Sequence, residues 1–372
     1  MKIGLVKEVK NNEFRVGMTP SDAEAYLHAG HTVAVEQGAG LGSGFSDREY
    51  ADAGCIIQEQ AAQVWESDMI VKVKEPVASE YRFFREGQIL YTYLHLADNE
   101  PLTRALLEKK VSAVAYETIE GRNGGLPCLA PMSQIAGRLA IQEGAKYLEK
   151  TFGGRGVLLG GVPGVERGRV VILGGGSVGT NACKMAVGLG ADVTVLDLNL
   201  ERLSYLDDIF SRQITTLYAS RSNVLRAVCQ ADLVVGAVLV PGAAAPKLIR
   251  RTDLARMKPG AVIVDVAVDQ GGNAETTHAT THDDPIYTVD GIVHYCVANM
   301  PGAVSRTSTL ALSSATLPYG LRLAGLGVEE ACRADPGLRA GLNCYAGACV
   351  YGGVAEALGL ELRTPEQLGL AR

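Results

Sequence analysis

The sequence predicts an α/β chain with two doubly wound sheets of mainly parallel strands. Short β-branched runs alternate with helical periods from end to end, and they do so in two series separated by the glycine-rich stretch GGRGVLLGGVPGVERG. Parallel strands joined by helices produce this rhythm, because each strand returns through a helix that covers one sheet face. Length agrees: 372 residues can form two domains, each burying a core of ordinary size.

In the first series, strands are expected at Lys2 to Val6, Thr32 to Glu36, Met69 to Lys74, Ile89 to His95 and Ser112 to Glu117. Thr19-Pro20-Ser21-Asp22 opens a helix between the first two, with a hydroxyl at the N-cap and proline where no N–H is needed. Ser133 is expected to cap a helix carrying Ile135, Leu139, Ile141, Ala145 and Leu148, long enough to join two domains. In the second series, strands are expected at Arg169 to Leu173, Asp192 to Leu196, Ala231 to Val240, Ala261 to Asp265 and Ile292 to Cys296. From Thr307 the pattern turns helical again, and Pro318 should kink or end a helix.

Hydrophobic residues make up 47% and charged residues 20%, which excludes a disordered tail and a coiled coil. A net charge of -6 without a sustained Lys/Arg run leaves no footprint for nucleic acid. The apolar run in MKIGLVKEVK is too short for a signal peptide. The stretch Leu233 to Pro246, with two prolines and two glycines, is too short to cross a bilayer, so no membrane partner is expected. The eight cysteines contain no Cys-x-x-Cys pair, which favours reduced, buried thiols in the cytoplasm. His278 and His282 have a metal-like spacing but lie in a Thr-rich loop, and no metal is expected.

The strongest local motif is VVILGGGSVGTNACKMAVGLGADVTVLD. Gly174-x-Gly176-x-x-Gly179 follows a strand and opens a helix, with Ser177 and Val178 between the second and third glycines. The first glycine permits the tight turn, the second lets backbone approach a pyrophosphate, and the third packs the helix on its strand. The helix N-terminus offers N–H groups and partial positive charge to the phosphates. Asp197 ends the following strand, where it can accept from both ribose hydroxyls and repel a 2′-phosphate, so the expected cofactor is NAD rather than NADP. Arg202 is close enough in sequence to reach the adenosine, or else stands as a solvated helix charge.

Two strands of the first series end in titratable side chains. Alternation in Ile70-Val71-Lys72-Val73-Lys74 puts Lys72 and Lys74 on one face, and Ile89 to His95 ends in a histidine. Downstream strand ends converge on the edge where open α/β sheets bind ligands. Taken singly, a snorkelling lysine and a hydrogen-bonded core histidine are the plainer readings.

Together with the glycine motif, KEVKNNEFRVGMTP, KVKEP, YLHLA, LAPMSQIAGRLA, GGVPGVE, GAVLVPGAAAPKL, MKPGAVIVDVAVDQGG and HYCVANMPGAV cover the chain nearly end to end. In this order they resemble the bacterial L-alanine dehydrogenase family, which also includes the NAD-binding subunit of proton-translocating transhydrogenase. The resemblance implies two Rossmann-like domains: a substrate domain of residues 1–130 and 305–372, with an NAD domain of residues 131–304 inserted in it. It implies a homo-oligomer, commonly a hexamer, that reversibly converts L-alanine, NAD and water to pyruvate, ammonium and NADH.

Residue roles follow from the same resemblance. Arg15 clamps the substrate carboxylate, and Lys74 binds the carboxylate and oxygen while stabilising developing charge. His95 is the acid/base at the carbonyl or amine, and Lys72 is left structural. Asp269, beyond the strand of IVDVAVDQGG, can activate water or ammonia, whereas Asp265 stays within its own domain. Asn299 faces cofactor and substrate, and Met132 and Ser133 line the nicotinamide face. The chain departs from the family pattern in three places: Asn273-Ala274 stands where a cysteine is common, Gln134 where a glutamate is common, and Ser305 where a proline usually precedes Arg306. None removes a catalytic group, although Gln134 alters the electrostatics of the nicotinamide side. Two rivals are a transhydrogenase-type subunit, which needs no amino-acid pocket, and a non-catalytic NAD sensor.

Overall fold

The computed structural model describes residues 1–239 and 244–371. Along the chain the strands are β1 (Lys2–Leu5), β2 (Thr32–Glu36), β3 (Ile56–Gln58), β4 (Met69–Val71), β5 (Ile89–Thr92) and β6 (Ser112–Ala115). There follow β7 (Arg169–Leu173), β8 (Asp192–Asp197), β9 (Ile214–Tyr218), β10 (Leu233–Gly236), β11 (Val262–Asp265), β12 (Ile286–Val289) and β13 (Ile292–Tyr295). The last two are β14 (Leu342–Tyr345) and β15 (Ala348–Cys349).

These strands form an eight-stranded sheet in the order β15-β14-β6-β5-β4-β1-β2-β3 and a seven-stranded sheet in the order β12-β13-β11-β10-β7-β8-β9. The six strands from β6 to β3 are parallel, with β14 and β15 added antiparallel at one edge. In the second sheet β13 to β9 are parallel and only β12 is antiparallel. The fold is therefore α/β with two parallel-sheet units. One unit comprises Met1–Met132 with Gly302–Arg372 and the other Ser133–Pro301, the division falling inside the helix Ala130–Tyr147.

Strands covered on both faces should read as continuous apolar runs, and β4, β5, β6, β10 and β11 are buried throughout. Ile70, Leu90 and Ala113 lie in the core of the first sheet, and Val171, Val234 and Ile263 in that of the second. Each large aliphatic side chain so buried contributes about 1.5–3 kcal/mol. The helix Pro20–His28 starts as expected: Thr19 accepts from the Asp22 N–H while the Asp22 carboxylate accepts from the Thr19 N–H.

Strand order reverses between β1 and β4 in the first sheet and between β7 and β10 in the second. Connections diverge at such a point and leave a crevice beyond the carboxyl ends of the strands. Arg15 follows β1, Lys74 follows β4 and His95 follows β5, so three adjacent strands of one sheet deliver them to one edge. In the second sheet the glycine turn follows β7, Asp269 follows β11 and Asn299 follows β13.

Several boundaries differ from the sequence expectation. The helix expected to start at Ser133 starts at Ala130, because Pro131 fits the first helical turn, where a missing N–H costs nothing. Pro318 does not end its helix: Ser305–Ala334 is interrupted instead at Gly327, with φ 74° and ψ 168°. Packing around Pro318 favours the helix, since Thr316 and Leu323 are buried and Gly320 approaches Tyr26 so closely that a Cβ would lie 1.9 Å from its hydroxyl. The strand expected over Ala231 to Val240 is β10, and Val240 lies outside the described residues. The helical pattern expected after Thr307 missed β14 and β15, and the edge strands β3, β9 and β12 carried too little apolar signal to be read.

Candidate active site

The first unit gathers two cations and an imidazole. Arg15 is buried, and its guanidinium donates Nε to Glu13 Oε1 at 2.6 Å and Nη2 to Glu13 Oε2 at 2.5 Å. This two-point fork fixes the guanidinium plane. Nη1 lies 3.1 Å from Met132 Sδ. Burial works against the charge on Arg15, but the Glu13 bonds outweigh it and hold the pKa above the ordinary arginine value.

Lys74 lies three residues beyond β4 rather than on its last position. It is half-buried, and its pKa is lowered, chiefly by desolvation and further by the nearby Arg15 and Lys10 charges, against an opposing pull from Glu75 and Glu13. Two positive groups, Arg15 and Lys74, thus stand close enough to repel. An anion such as a carboxylate would relieve that repulsion.

His95 likewise lies three residues past its strand, exposed, with φ 48°. Just beyond β4 and β5 the Tyr93 N–H still donates to the Val73 carbonyl at 3.3 Å, and carboxylates take the N–H groups that follow. The Val73 N–H donates to Glu8 Oε1 at 2.6 Å, and the Leu94 and His95 N–H groups donate to Glu117 Oε1 at 3.1 and 2.7 Å. Glu117 Oε1 is also 4.0 Å from His95 Nδ1, and the Tyr93 ring stacks on the imidazole with centroids 6.1 Å apart. The Tyr93 hydroxyl donates to the Cys128 carbonyl at 2.7 Å. Glu117, Glu13 and Tyr93 are neighbours that the sequence alone did not single out. A glutamate at the end of a buried strand, in SAVAYE, was the available signal.

Lys72 and Lys74 separate. The alternation that would have put both on one face ends with β4 at Val71. Lys72 is fully buried with Glu8 and Glu80, whereas Lys74 belongs to the Arg15 side.

In the second unit the glycine turn has the form expected of a phosphate cradle. Gly174 has φ 99°, and a Cβ on Gly179 would lie 1.8 Å from the Gly174 carbonyl oxygen, so neither position tolerates a side chain. A Cβ on Gly176 would meet nothing within 4 Å: its backbone faces open space. Gly176 is the N-cap of the helix Ser177–Gly188 and makes no side-chain cap, leaving the N–H groups of Ser177 and Val178 at an uncapped terminus. Asp197 ends β8, where Oδ2 accepts from the Gly175 N–H at 2.6 Å and Oδ1 from the Asn199 N–H at 2.8 Å. A carboxylate has about four acceptor positions, so it can still take ribose hydroxyls. The turn therefore fits a dinucleotide.

Arg202 is not a free helix charge. Its Nε donates to the Gly175 carbonyl and its Nη2 to the Thr180 hydroxyl, bracing the turn. Asp265 is buried and accepts from the N–H groups of Asn273, Ala274 and Ala267 and from the Thr277 hydroxyl, which makes it a structural cap. Asp269 is exposed on the short turn Val268–Gln270. Lys247 braces the same loop by donating to the carbonyls of Gly271, Gly272 and Ala274. Asn299 has φ 62°, and its carbonyl lies 3.2 Å from His282 Nε2. His278 stacks on Tyr287 at 3.7 Å. Ser133 is half-buried in the first turn of its helix, and Met132 is buried beside Arg15.

Comparison with known proteins matches this architecture. Residues 4–136 match the family model of the alanine dehydrogenase/PNT N-terminal domain, and residues 140–352 that of the C-terminal domain. Among curated relatives, alanine dehydrogenase of Staphylococcus haemolyticus is 54% identical over 367 residues, covering 98% of each chain. Alanine dehydrogenase 2 of Staphylococcus aureus is 54% identical over 368 residues, covering 99% of each. A solved L-alanine dehydrogenase superposes with a TM-score of 0.94 at 52% identity, covering 96% of this chain and 99% of that one. A transhydrogenase from Sinorhizobium meliloti superposes at 0.82 with 25% identity, covering 95% and 99%. The chain belongs to the alanine dehydrogenase/PNT family.

Proposed function

We propose that the chain is an NAD-dependent alanine dehydrogenase, reversibly converting L-alanine and water to pyruvate and ammonium. The observation that carries the proposal is the delivery of two cations, Arg15 and Lys74, and the imidazole of His95 to one sheet edge by three adjacent strands. In this reading the unit containing β1 to β6 is the substrate domain and the unit containing β7 to β13 the cofactor domain.

Bound NAD would accept the hydride from the substrate Cα. Gly174, Gly176 and Gly179 would hold its pyrophosphate with the N–H groups of Ser177 and Val178, Asp197 its adenine ribose, and Met132, Ser133 and Asn299 its nicotinamide end. Arg202 acts from outside, through the Gly175 carbonyl. Arg15 binds one face of the substrate carboxylate, with Glu13 fixing its plane. Lys74 binds a carboxylate oxygen and, in the direction from pyruvate, the carbonyl oxygen on which negative charge develops. His95 carries a proton to or from that oxygen, and Asp269 takes a proton from the water that attacks the imine carbon. Nothing in this scheme calls for a metal ion.

Production of pyruvate and ammonium from L-alanine and NAD, and NADH oxidation with pyruvate and ammonium, test the proposal. Absence of both would reject it. NADH oxidation that requires a partner subunit instead of an amino acid would favour the transhydrogenase-type alternative, which the likeness to the Sinorhizobium protein keeps in view. The proposal extends to a cytoplasmic homohexamer, to be checked by fractionation and light scattering. Among the described residues, no helix is long and apolar enough to cross a membrane.

A further inference from the structure

Lys72 sits two residues before Lys74 and has no part in the proposed chemistry. Its Nζ donates to Glu80 Oε1 at 3.0 Å and lies 3.4 Å from Glu8 Oε2, with all three side chains buried. Burial works against the charge on Lys72, but the two carboxylates outweigh it and hold its pKa above the ordinary lysine value. Burial likewise pushes Glu8 up, with Lys72 opposing.

Each carboxylate also uses its other oxygen on the backbone. Glu8 Oε1 accepts from the Val73 N–H at 2.6 Å and lies 3.4 Å from the Lys74 backbone nitrogen, while Glu80 Oε2 accepts from the Val77 N–H at 2.8 Å. The segment from Val73 to Val77, which leaves β4 through Pro76 after a last ladder bond from the Tyr93 N–H to the Val73 carbonyl, is therefore gripped at both ends by carboxylates joined through one ammonium. Among the described residues nothing hydrogen-bonds to Lys74 Nζ, so the course of that backbone decides where the ammonium stands. A buried ion network of this kind stabilises a fold little better than well-packed apolar residues would, and stability alone is a weak reason for three buried charges.

We propose that Lys72, acting through Glu8 and Glu80, is a positioning residue that sets the Lys74 ammonium against the substrate. This rests on Lys74 being a substrate ligand. The test is a pair of Lys72→Met substitutions, one in the natural chain and one in Lys74→Arg, with pyruvate kinetics and NADH affinity measured in each. In the natural chain Lys72→Met should lower kcat/KM for pyruvate roughly 10- to 100-fold, the scale of a misplaced catalytic group, with NADH affinity unchanged. In Lys74→Arg, where an altered group has already lost the alignment, the same substitution should cost less than about threefold.

Equal losses in both backgrounds, or a parallel loss of NADH affinity, would overturn the inference. Wild-type kinetics for Lys74→Arg alone would refute the role of Lys74 itself, which separates the two failures. Should Lys72→Met not yield folded protein, Glu80→Gln, which keeps the acceptor for Val77, should show the same background-dependent loss at about 3- to 10-fold. Additive losses there would sink the inference equally.

Discussion

Glu117 holds His95 by its backbone and faces it by its side chain: one oxygen accepts the His95 N–H at 2.7 Å and stands 4.0 Å from Nδ1. The left-handed conformation of His95, at φ 48°, costs free energy for a residue with a Cβ and persists only where the surroundings over-determine it. A carboxylate accepting the Leu94 and His95 N–H groups provides that constraint, and the stacked Tyr93 ring limits the imidazole on one side.

Glu117→Ala should therefore release the turn. Hydrogen bonds to a charged group contribute about 1.5–3 kcal/mol, so turnover should fall by about 10- to 100-fold while NADH affinity is retained. Glu117→Gln keeps an acceptor for the two N–H groups and should lose less. Steady-state kinetics with a fluorescence titration of NADH decide it, and equal effects of the two variants would argue against the clamp.

Lys74 gives a pH dependence. Its folded pKa lies below the ordinary lysine value of 10.5, so the ammonium loses its proton at lower pH than a solvent-exposed lysine would. If the charged form binds the carboxylate, kcat/KM for pyruvate should fall on the alkaline side beginning below that value. Lys74→Arg, whose side chain stays protonated throughout, should retain less activity but lack that alkaline limb. A limb that persists unchanged in the variant would assign it to another group.

Much of this arrangement was legible in the sequence, and the part that was not has a common cause. Strands β2, β7, β8 and β11 could be read because each carries β-branched apolar residues through its middle, as strands of a parallel sheet covered by helices do. The glycine turn could be read because each glycine answers a local steric demand. The carboxylates of Glu8, Glu13, Glu80 and Glu117 could not. Each acts on a main-chain N–H or a cation placed by a different part of the fold or by an irregular turn, and a lone glutamate carries no periodicity. Lys72 and Lys74 illustrate the limit: period-two reasoning applies only while the strand lasts, and β4 ends at Val71.

Gly179→Ala tests the steric part of the glycine turn. The added Cβ would lie 1.8 Å from the Gly174 carbonyl oxygen, a backbone atom that cannot swing aside. Helix and strand must separate, at a cost of about 1–3 kcal/mol or more, typical of overpacking. Thermal unfolding should show the destabilisation and titration should show weakened NADH binding. Gly176→Ala meets nothing within 4 Å in the chain itself, so it should leave stability nearly unchanged and weaken NADH selectively. Equal destabilisation by both substitutions would contradict the division of labour between the two glycines.

Asp197 and Arg202 flank the same turn and make opposite predictions for cofactor choice. Removing the carboxylate in Asp197→Gly removes its repulsion of a 2′-phosphate and also leaves the Gly175 N–H without its 2.6 Å acceptor. NADH should bind more weakly and NADPH turnover should rise, shifting the preference ratio by roughly 10- to 100-fold. Full reversal is not expected, because the Arg202 guanidinium already serves the Gly175 carbonyl and the Thr180 hydroxyl and can engage a phosphate only by giving up those bonds. Adding Arg202→Ala separates the two effects. If Arg202 only braces the turn, the double variant loses affinity for both cofactors equally; if it turns to the phosphate, only NADPH suffers. A preference ratio unmoved by Asp197→Gly would remove Asp197 as the ribose ligand.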